Sequence, residues 1–503
     1  MTSTAPFPSR SFGVLMHPTS FPGPEPIGTL GAEAHEFVDW LASTGASIWQ
    51  ILPLTYLGEE DSPYFSPSSF AGNTWLIDLR ELVAAGLLGG IGTPPTPGGP
   101  PGPVDFDRMR EWKAPLLETA AGTFLADDGH PWWPEYERFV ADAPWLADVC
   151  HFIARKRTDP DTPWWEWDGP IRRRETAALA ASAIEHAAAI EREHVLQFFF
   201  ERQWRALRQR ANAAGIQVLG DVPIYVAPDS ADVWAHQDQF QLDRAGRLTA
   251  QAGVPPDYFS ETGQLWGNPI YRWDEMADDG FTWWVDRLRR TLDQADVVRI
   301  DHFRALSAYW SVPAGDDTAI GGEWVPGPGQ AFVDAVRRAF PGLPIVAEDL
   351  GDLDDDVLAL RDRNDLVGMR VLQFGFDGPP NDHHPSRIVE RSVVYTGTHD
   401  NDTLAGWWTS SPRSRKERVR RDTGMPPRVR TRRAVWWLIE VALDTPAVAA
   451  VVPMQDLLVL GTEARMNVPG TDTGNWRWRL EPGLLSDRLA ADLRALATAT
   501  TRC

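Results

Sequence analysis

Residues 295–305, ADVVRIDHFRA, combine a β-branched run with an abrupt cluster of charge. The run is typical of a buried strand in a parallel sheet, because such strands are covered on both faces and are almost continuously apolar. Arg299, Asp301 and His302 nevertheless stand at the end of this run. Charge at the end of a buried strand is costly unless it is paired or used, so the stretch indicates both a strand and a site.

Apolar runs of this kind recur along the chain, with helical or irregular segments between them. They lie at 12–17, 47–54, 216–224, 295–301, 344–349, 369–374, 392–400 and 456–461. Eight such strands predict an α/β fold of the (β/α)8 TIM-barrel type, which forms one catalytic domain over residues 1–503.

The uneven spacing of these runs predicts insertions in the barrel. Roughly 160 residues separate the second and third runs, far more than a crossover helix needs. We expect a helical subdomain there at about 60–200, which includes a proline- and glycine-rich segment at 91–103 and a long helical stretch at 174–213. A smaller insertion is expected at 225–295, and a helical one at 401–455.

The composition excludes several classes of partner. The chain has 503 residues, 43% of them hydrophobic, with 48 basic against 70 acidic residues and a net charge of −22. This charge repels phosphate backbones and anionic lipid, so neither nucleic acid nor a membrane is an expected partner. The amino terminus lacks the apolar segment of a signal peptide, and no apolar run is long enough to span a membrane, so we expect a cytoplasmic protein.

The cysteine and tryptophan contents do not by themselves indicate a functional site. Cys150 and Cys503 are too few and too far apart for a disulfide framework or a zinc site. The chain has 24 tryptophans against 8 tyrosines. Indole rings stack on sugars but also fill cores, and composition alone favours the core.

In a barrel of this kind, chemistry is located at the carboxyl ends of the strands. Ionisable residues end four of the runs: Asp221, Asp301, Glu348 with Asp349, and His399 with Asp400. Arg299 and Asp301 lie two residues apart and point to the same face of a strand, so the guanidinium can keep that carboxylate ionised as a nucleophile. The alternative is a structural ion-pair network of Arg299, Asp301 and Arg304.

Glu348 strengthens the catalytic interpretation. It follows the apolar run PIVA, and burial there would raise its pKa and suit it to a general acid. Two carboxyl groups on adjacent strand ends fit a glycosidase of either stereochemistry, and a separation of about 5 Å would give double displacement with retention. Asp400 could bind sugar hydroxyls and stabilise an oxocarbenium-like transition state, or THDND could simply be an Asx-rich turn.

Several long motifs occur in a fixed order along the chain. They include GVLMHPTSFPGP (13–24), SPYFSPSSFAGN (62–73), GDVPIYVAPDSADVW (220–234), AGVPPDYFSETGQLWGNPIYRW (252–273), VRIDHFR (298–304), VAEDLG (346–351), TGTHDNDT (396–403) and GTEARMNVPG (461–470). Over essentially its whole length, the chain resembles the 4-alpha-glucanotransferase family, also called amylomaltase or disproportionating enzyme, within the α-amylase clan.

The resemblance implies roles for individual residues. Asp301 would be the nucleophile, Glu348 the acid and base, and Asp400 the transition-state stabiliser. Matches to substrate-binding positions of the family are Tyr64, Asp221, Tyr258, Phe259, Arg299, His399 and Asn467. Tyr258 and Phe259 belong to a loop that, in the family, folds over the cleft and holds the glucan.

The resemblance also implies the reaction. Maltooligosaccharides and other α-1,4-glucans would be donors and acceptors, and the carboxylates would supply all the acid, base and nucleophile, without a metal or an organic cofactor. No obligatory protein partner is indicated. Two alternatives remain at this point: an α-glucan hydrolase of the same clan, and a glucan-binding protein that has lost catalysis.

Overall fold

The apolar runs of the sequence form the strands of one large parallel sheet. The computed structural model describes residues 6–7, 10–58, 60–94, 102–256, 260–351, 353–471 and 473–503. The strands of this part are β1 (Ser11–Leu15), β2 (Ile48–Gln50), β3 (Gln217–Val222), β4 (Ala250–Val254), β5 (Gln264–Pro269), β6 (Val297–Ile300), β7 (Ala308–Pro313), β8 (Glu323–Pro326), β9 (Ile345–Ala347), β10 (Gly368–Val371), β11 (Ser392–Tyr395) and β12 (Ala449–Pro453).

Helices surround this sheet and fill the connections. Those of the described residues are α1 (Ala32–Ser43), α2 (Leu79–Ala84), α3 (Phe106–Leu125), α4 (Trp133–Asp142), α5 (Leu146–Thr158), α6 (Gly169–Arg172), α7 (Thr176–Glu185), α8 (Ala187–Ala213), α9 (Ala231–Ala235), α10 (Trp273–Asp278), α11 (Thr282–Gln294), α12 (Gly329–Ala339), α13 (Asp355–Arg363), α14 (Leu404–Ser410), α15 (Arg413–Thr423), α16 (Thr431–Asp444), α17 (Met454–Leu458) and α18 (Asp487–Ala499). Among them, none combines the length and the apolar character that a membrane crossing requires.

The large sheet is an eight-stranded parallel barrel, as predicted. Its strand order is β10-β11-β12-β1-β2-β3-β6-β9. The two outer strands approach each other through a parallel bridge between Val346 and Val367, where Ala347 N–H donates to Val367 O at 2.8 Å. Side chains of the barrel interior are buried, among them Ile48, Leu219, Val297, Val346, Met369 and Val393. This double-sided burial explains why the strands are almost uniformly apolar.

The predicted eighth strand at 456–461 is wrong. The strand is β12 (449–453), and α17 (454–458) occupies the start of the predicted segment. The helical insertion predicted at 401–455 therefore ends too late, since it includes this strand. The stretch AVAAVVPMQDLLVL (447–460) contains two apolar runs separated by Gln455 and Asp456. Periodicity cannot separate a short strand from a short helix, so the wrong run was chosen. Pro453 marks the boundary, because it ends the strand and precedes the helix.

Helices α2 to α8 occupy the chain between β2 and β3. The helical stretch expected at 174–213 is divided into α7 and α8 at His186, whose φ of −101° and ψ of 10° depart from helical geometry. Residues 95–101 of the proline- and glycine-rich segment lie outside the described residues. Tryptophans 49, 164, 204, 234 and 284 are fully buried, in agreement with the core interpretation of the composition.

A second, antiparallel sheet lies near the carboxyl end of β6, with the order β5-β4-β7-β8. The pair β4 and β5 comes from the segment before β6, whereas β7 and β8 come from the segment after it. Sequence reasoning predicted no strands in this sheet. Trp266 of β5 contacts the ring of His302 edge-on, with 4.8 Å between the ring centroids, so this sheet borders the strand end that carries Asp301.

Candidate active site

Asp301 and Glu348 follow directly on two neighbouring barrel strands. In the register of β6 and β9, Ile300 pairs with Ala347, so the next residue of each strand carries a carboxyl group. Backbone bonds continue past the strands, from Glu348 N–H to Ile300 O at 3.0 Å and from Phe303 N–H to Glu348 O at 3.1 Å. Neighbouring strands lie about 4.8 Å apart. The two carboxyl groups are therefore neighbours at the carboxyl end of the barrel.

Arg299 binds two carboxylates at once. Its Nη1 donates to both oxygens of Asp221 at 2.8 and 2.7 Å, and its Nη2 donates to Asp301 Oδ1 at 2.6 Å. Arg299 and Asp221 are almost fully buried, whereas the side chain of Asp301 is 31% exposed. Burial raises the pKa of Asp221, and the charge of Arg299 opposes that rise. Asp221 thus forms the buried floor of the site, and Asp301 is its partly exposed carboxylate.

Backbone N–H groups orient the Glu348 carboxyl group. Oε2 accepts from His302 N–H at 2.6 Å, and Oε1 accepts from Leu350 N–H at 2.9 Å. His302 adopts a left-handed conformation with φ of 50°, which is uncommon for a residue other than glycine and costs about 1 kcal/mol or more. The chain turn immediately after Asp301 is therefore coupled to the position of Glu348.

Glu348 holds its proton at neutral pH. Burial and then the negative charge of Asp301 raise the pKa of Glu348 to about 8, while Arg299 and the two backbone N–H groups oppose the rise. A protonated carboxyl group beside an arginine-bound carboxylate can serve as acid and nucleophile respectively.

Asp400 projects from the loop after β11, and a second segment holds it. Asn467 Nδ2 donates to Asp400 Oδ1 at 2.6 Å, Asn467 N–H donates to His399 O at 3.1 Å, and His399 Nε2 lies 3.3 Å from Asp400 Oδ2. The local side-chain contact in THDND is made by Asn401, whose Oδ1 accepts from Thr398 N–H at 2.8 Å. The Asp400 side chain takes no part in that bond and is 41% exposed.

Tyr64 connects the floor of the site to the Asp400 loop. Its hydroxyl donates to Asp221 Oδ2 at 2.7 Å, and its ring stacks on His399 with 5.1 Å between centroids and 13° between planes. Trp476 contacts both rings, at 5.7 and 5.9 Å. Burial and the negative charge of Asp221 raise the pKa of Tyr64, so the phenol remains a donor.

Replacing Tyr64 with phenylalanine should separate the contact of its hydroxyl with Asp221 from the contacts of its ring with His399 and Trp476. The ring contacts would remain, but Asp221 Oδ2 would lose one of its two donors and keep the other, Arg299 Nη1; a hydrogen bond to a charged group contributes about 1.5–3 kcal/mol. We expect kcat/KM on maltotriose to fall by about 10-fold or more. Tyr271→Phe is a matched control, because that hydroxyl donates to the backbone oxygen of Ile224 at 2.8 Å within the core. Equal activity of both variants would exclude a role for the Tyr64 hydroxyl in the site.

The site contains residues that sequence reasoning did not select. Trp266, Trp476 and the backbone of His302 contribute to it, and Arg465 donates to the backbone oxygen of Asp400. Their only sequence signal was their occurrence within the quoted motifs or next to them. Tyr258 and Phe259 lie outside the described residues. Within the described ranges, no group of three or more His, Cys, Asp or Glu side chains could hold a metal ion.

Comparisons with known proteins identify the family of this chain. A family model described as 4-alpha-glucanotransferase matches residues 16–486. The 4-alpha-glucanotransferase of Thermus thermophilus is 46% identical, over 98% of this chain and 99% of that protein. The chloroplastic or amyloplastic 4-alpha-glucanotransferase of Solanum tuberosum is 43% identical, over 97% of this chain and 85% of that protein.

A solved structure extends the similarity to three dimensions. The amylomaltase of Streptococcus agalactiae, determined in complex with acarbose, superposes with a TM-score of 0.94 at 37% identity, over 98% of this chain and 99% of that chain. The barrel, its insertions and the strand ends thus belong to a fold that this relative shares over nearly its full length. On these grounds the chain belongs to the 4-alpha-glucanotransferase family and is an enzyme with that family's activity.

Proposed function

We propose that this enzyme transfers segments of α-1,4-glucans between maltooligosaccharides by double displacement with retention. Asp301 is the nucleophile, Glu348 the acid and then the base, and Asp400 the stabiliser of positive charge on the reacting sugar. The observation that carries this proposal is the buried Glu348, whose pKa burial raises to about 8, beside the arginine-bound Asp301 on adjacent strand ends.

In the first half-reaction, a carboxylate oxygen of Asp301 attacks the anomeric carbon of the donor. The bond from that carbon to the glycosidic oxygen breaks, and the proton of Glu348 moves to this oxygen as the reducing-end fragment leaves. The products are a glycosyl ester on Asp301 and an ionised Glu348. Charge that develops on the ring is opposed by Asp400, whose carboxylate Asn467 and His399 hold in place.

In the second half-reaction, Glu348 removes the proton of the 4-hydroxyl of an acceptor glucan. The hydroxyl oxygen attacks the anomeric carbon, the ester bond breaks, and Asp301 is regenerated as a carboxylate. Atoms and charge are restored, so a single site completes both halves. Transfer exceeds hydrolysis only if bound acceptor outcompetes water, which requires contacts that raise its effective concentration.

The substrate class follows from the family and from one relative. The Streptococcus agalactiae amylomaltase was solved with acarbose, an oligosaccharide analogue, and its barrel matches this one closely. We therefore assign maltooligosaccharides as donors and acceptors for this chain. Tyr258 and Phe259 are assigned to glucan binding from the sequence resemblance alone.

Incubation with maltotriose tests the proposal directly. We expect glucose together with maltopentaose and longer chains, while the total number of reducing ends stays constant, because each transfer breaks one glycosidic bond and forms another. The product ladder and the reducing ends are followed together over time. Rising reducing ends with only glucose and maltose would instead identify a hydrolase, and unchanged maltotriose would contradict the proposed substrate.

A further inference from the structure

One buried carboxylate joins the two ends of the loop that carries Asp400. This loop spans residues 396–403, between β11 and α14. Thr396 Oγ1 donates to Asp456 Oδ2 at 2.6 Å, and Leu404 N–H donates to Asp456 Oδ1 at 2.6 Å. Asp456 belongs to α17, which follows the neighbouring strand β12, and it is 1% exposed. The carboxyl group therefore connects the first residue of the loop, Thr396, and the first residue of the next helix, Leu404, to α17.

The second of these bonds satisfies a donor with no partner inside its own helix. Leu404 is the first residue of α14, and the first N–H groups of a helix need acceptors from outside it. Thr403 Oγ1 provides the next acceptor, for Gly406 N–H at 3.0 Å. Asp456 thus fixes where α14 begins and, with it, the end of the loop.

The interior of the loop is held by different contacts. Gln373 Nε2 donates to the backbone oxygen of Asp402 at 2.8 Å, and Thr462 Oγ1 donates to Asp402 Oδ2 at 2.9 Å. These bonds hold the part after Asp400. Asp456 differs from them in that its carboxyl group bonds to both ends of the loop.

Protonation does not break this arrangement. Burial and then the nearby charge of Asp402 raise the pKa of Asp456 to about 7, so neutral and ionised forms coexist at neutral pH. A neutral carboxyl group can still accept from Leu404 N–H through one oxygen and donate to Thr396 through the other. An asparagine amide can make the same pair of bonds, with its oxygen as acceptor and its N–H as donor.

We infer that Asp456 is a positioning residue, which fixes the ends of the 396–403 loop so that His399 and Asp400 are held in place to act on the bound sugar. The inference rests on the proposed role of Asp400, because Asp456 acts through the loop and not on the substrate.

Three variants separate positioning from general stability. Asp456→Ala removes both bonds, and Asp456→Asn retains them. Asp296→Ala is the matched control, because Asp296 also accepts a backbone bond, from Val218 N–H at 2.7 Å, together with bonds from Arg208 at 2.7 Å and Asn212 at 2.8 Å. Asp296 precedes β6, so it lies at the opposite end of the barrel from Asp400.

The quantities to measure are kcat and KM on maltotriose and the hydrogen-exchange rate of the peptide that contains residues 396–404. For Asp456→Ala we expect kcat to fall between about 10-fold and 100-fold with a smaller change in KM, since small displacements of catalytic groups have costs of this size. Exchange in the loop peptide should accelerate. Asp456→Asn should stay within about threefold of the wild type because both bonds can form. Asp296→Ala should lose stability but keep its kcat and its loop protection.

Each outcome decides the inference. Loss of kcat with faster loop exchange in Asp456→Ala alone, and recovery in Asp456→Asn, supports it. Wild-type kcat in Asp456→Ala overturns it, and so does unchanged loop exchange or an equal loss of kcat in Asp296→Ala. If the wild type itself fails to convert maltotriose, the proposed function fails, while loop exchange still decides whether Asp456 holds the loop.

Discussion

Replacing Asp301 with alanine is expected to abolish transfer, with a loss in kcat of about 10⁴-fold or more. The variant lacks the oxygen that forms the glycosyl ester, and Asp221 cannot substitute for it, because Asp221 is buried and bound by both Arg299 and Tyr64. Arg299 keeps its bonds to Asp221, so we expect the floor of the site and the fold to persist. Product formation from maltotriose over long incubations provides the measurement.

Binding should survive in the same variant. Tyr64, His399 and Asp400 remain, so glucan affinity measured by calorimetry should stay within about 10-fold of the wild type. Asp286→Ala is a suitable control, because Asp286 is an exposed aspartate paired with Arg289 on the surface. Retention of full activity in Asp301→Ala would show that another residue is the nucleophile, and loss of both binding and fold would assign Asp301 to structure.

Replacing Glu348 with glutamine should block the first half-reaction by removing the proton donor. We expect a loss of about 10²-fold to 10⁴-fold on maltotriose, the range typical of general acid catalysis. A donor with a good leaving group, such as a maltosyl fluoride, needs little protonation, so the formation of the glycosyl ester should largely recover. Rapid release of fluoride is the measurement, and Glu118→Gln, an exposed glutamate next to Arg157, is the control.

The pH profile gives a second test of Glu348. Its pKa of about 8 means that the free enzyme holds the catalytic proton below that pH and loses it above. For maltotriose, kcat/KM of the wild type should therefore fall as the pH rises through about 8. With the fluoride donor, Glu348→Gln should lack this decline. A wild-type profile that stays flat up to pH 10 would contradict the assignment of Glu348 as the acid.

Continuous apolar runs located seven of the eight barrel strands, because burial on both faces leaves a strong signal in short segments. The eighth was missed where the strand Ala449–Pro453 is followed closely by a second apolar run, which begins at Leu457 within α17. Alanine has low strand propensity, whereas Leu and Val in DLLVLG favoured the wrong segment. Neighbouring strands, not the local sequence, decide that 449–453 pairs with β1 and β11.

The site was predictable where it depends on strand ends and unpredictable where it depends on folding of the connections. Asp301 and Glu348 follow apolar strands, so their proximity could be expected from the sequence. Sequence could not reveal that Arg299 also binds Asp221, because that contact depends on the register of β3 and β6. The left-handed turn at His302 and the contacts of Asp456 likewise depend on tertiary packing. Each involves a single residue, so it leaves no repeating pattern in the sequence.

In the proposed mechanism, the charges of Asp301 and Arg299 adjust the pKa of Glu348 to each half-reaction. Before attack, the charge of Asp301 raises the proton affinity of Glu348. Once Asp301 is an ester, that negative charge is gone while the positive charge of Arg299 remains, so the pKa of Glu348 must fall. In the proposed mechanism, Glu348 therefore keeps its proton until the leaving oxygen takes it, and Glu348 stays ionised while the ester persists, so that it can accept the proton of the acceptor hydroxyl. Formation of the covalent bond to Asp301 thus changes Glu348 from an acid into a base.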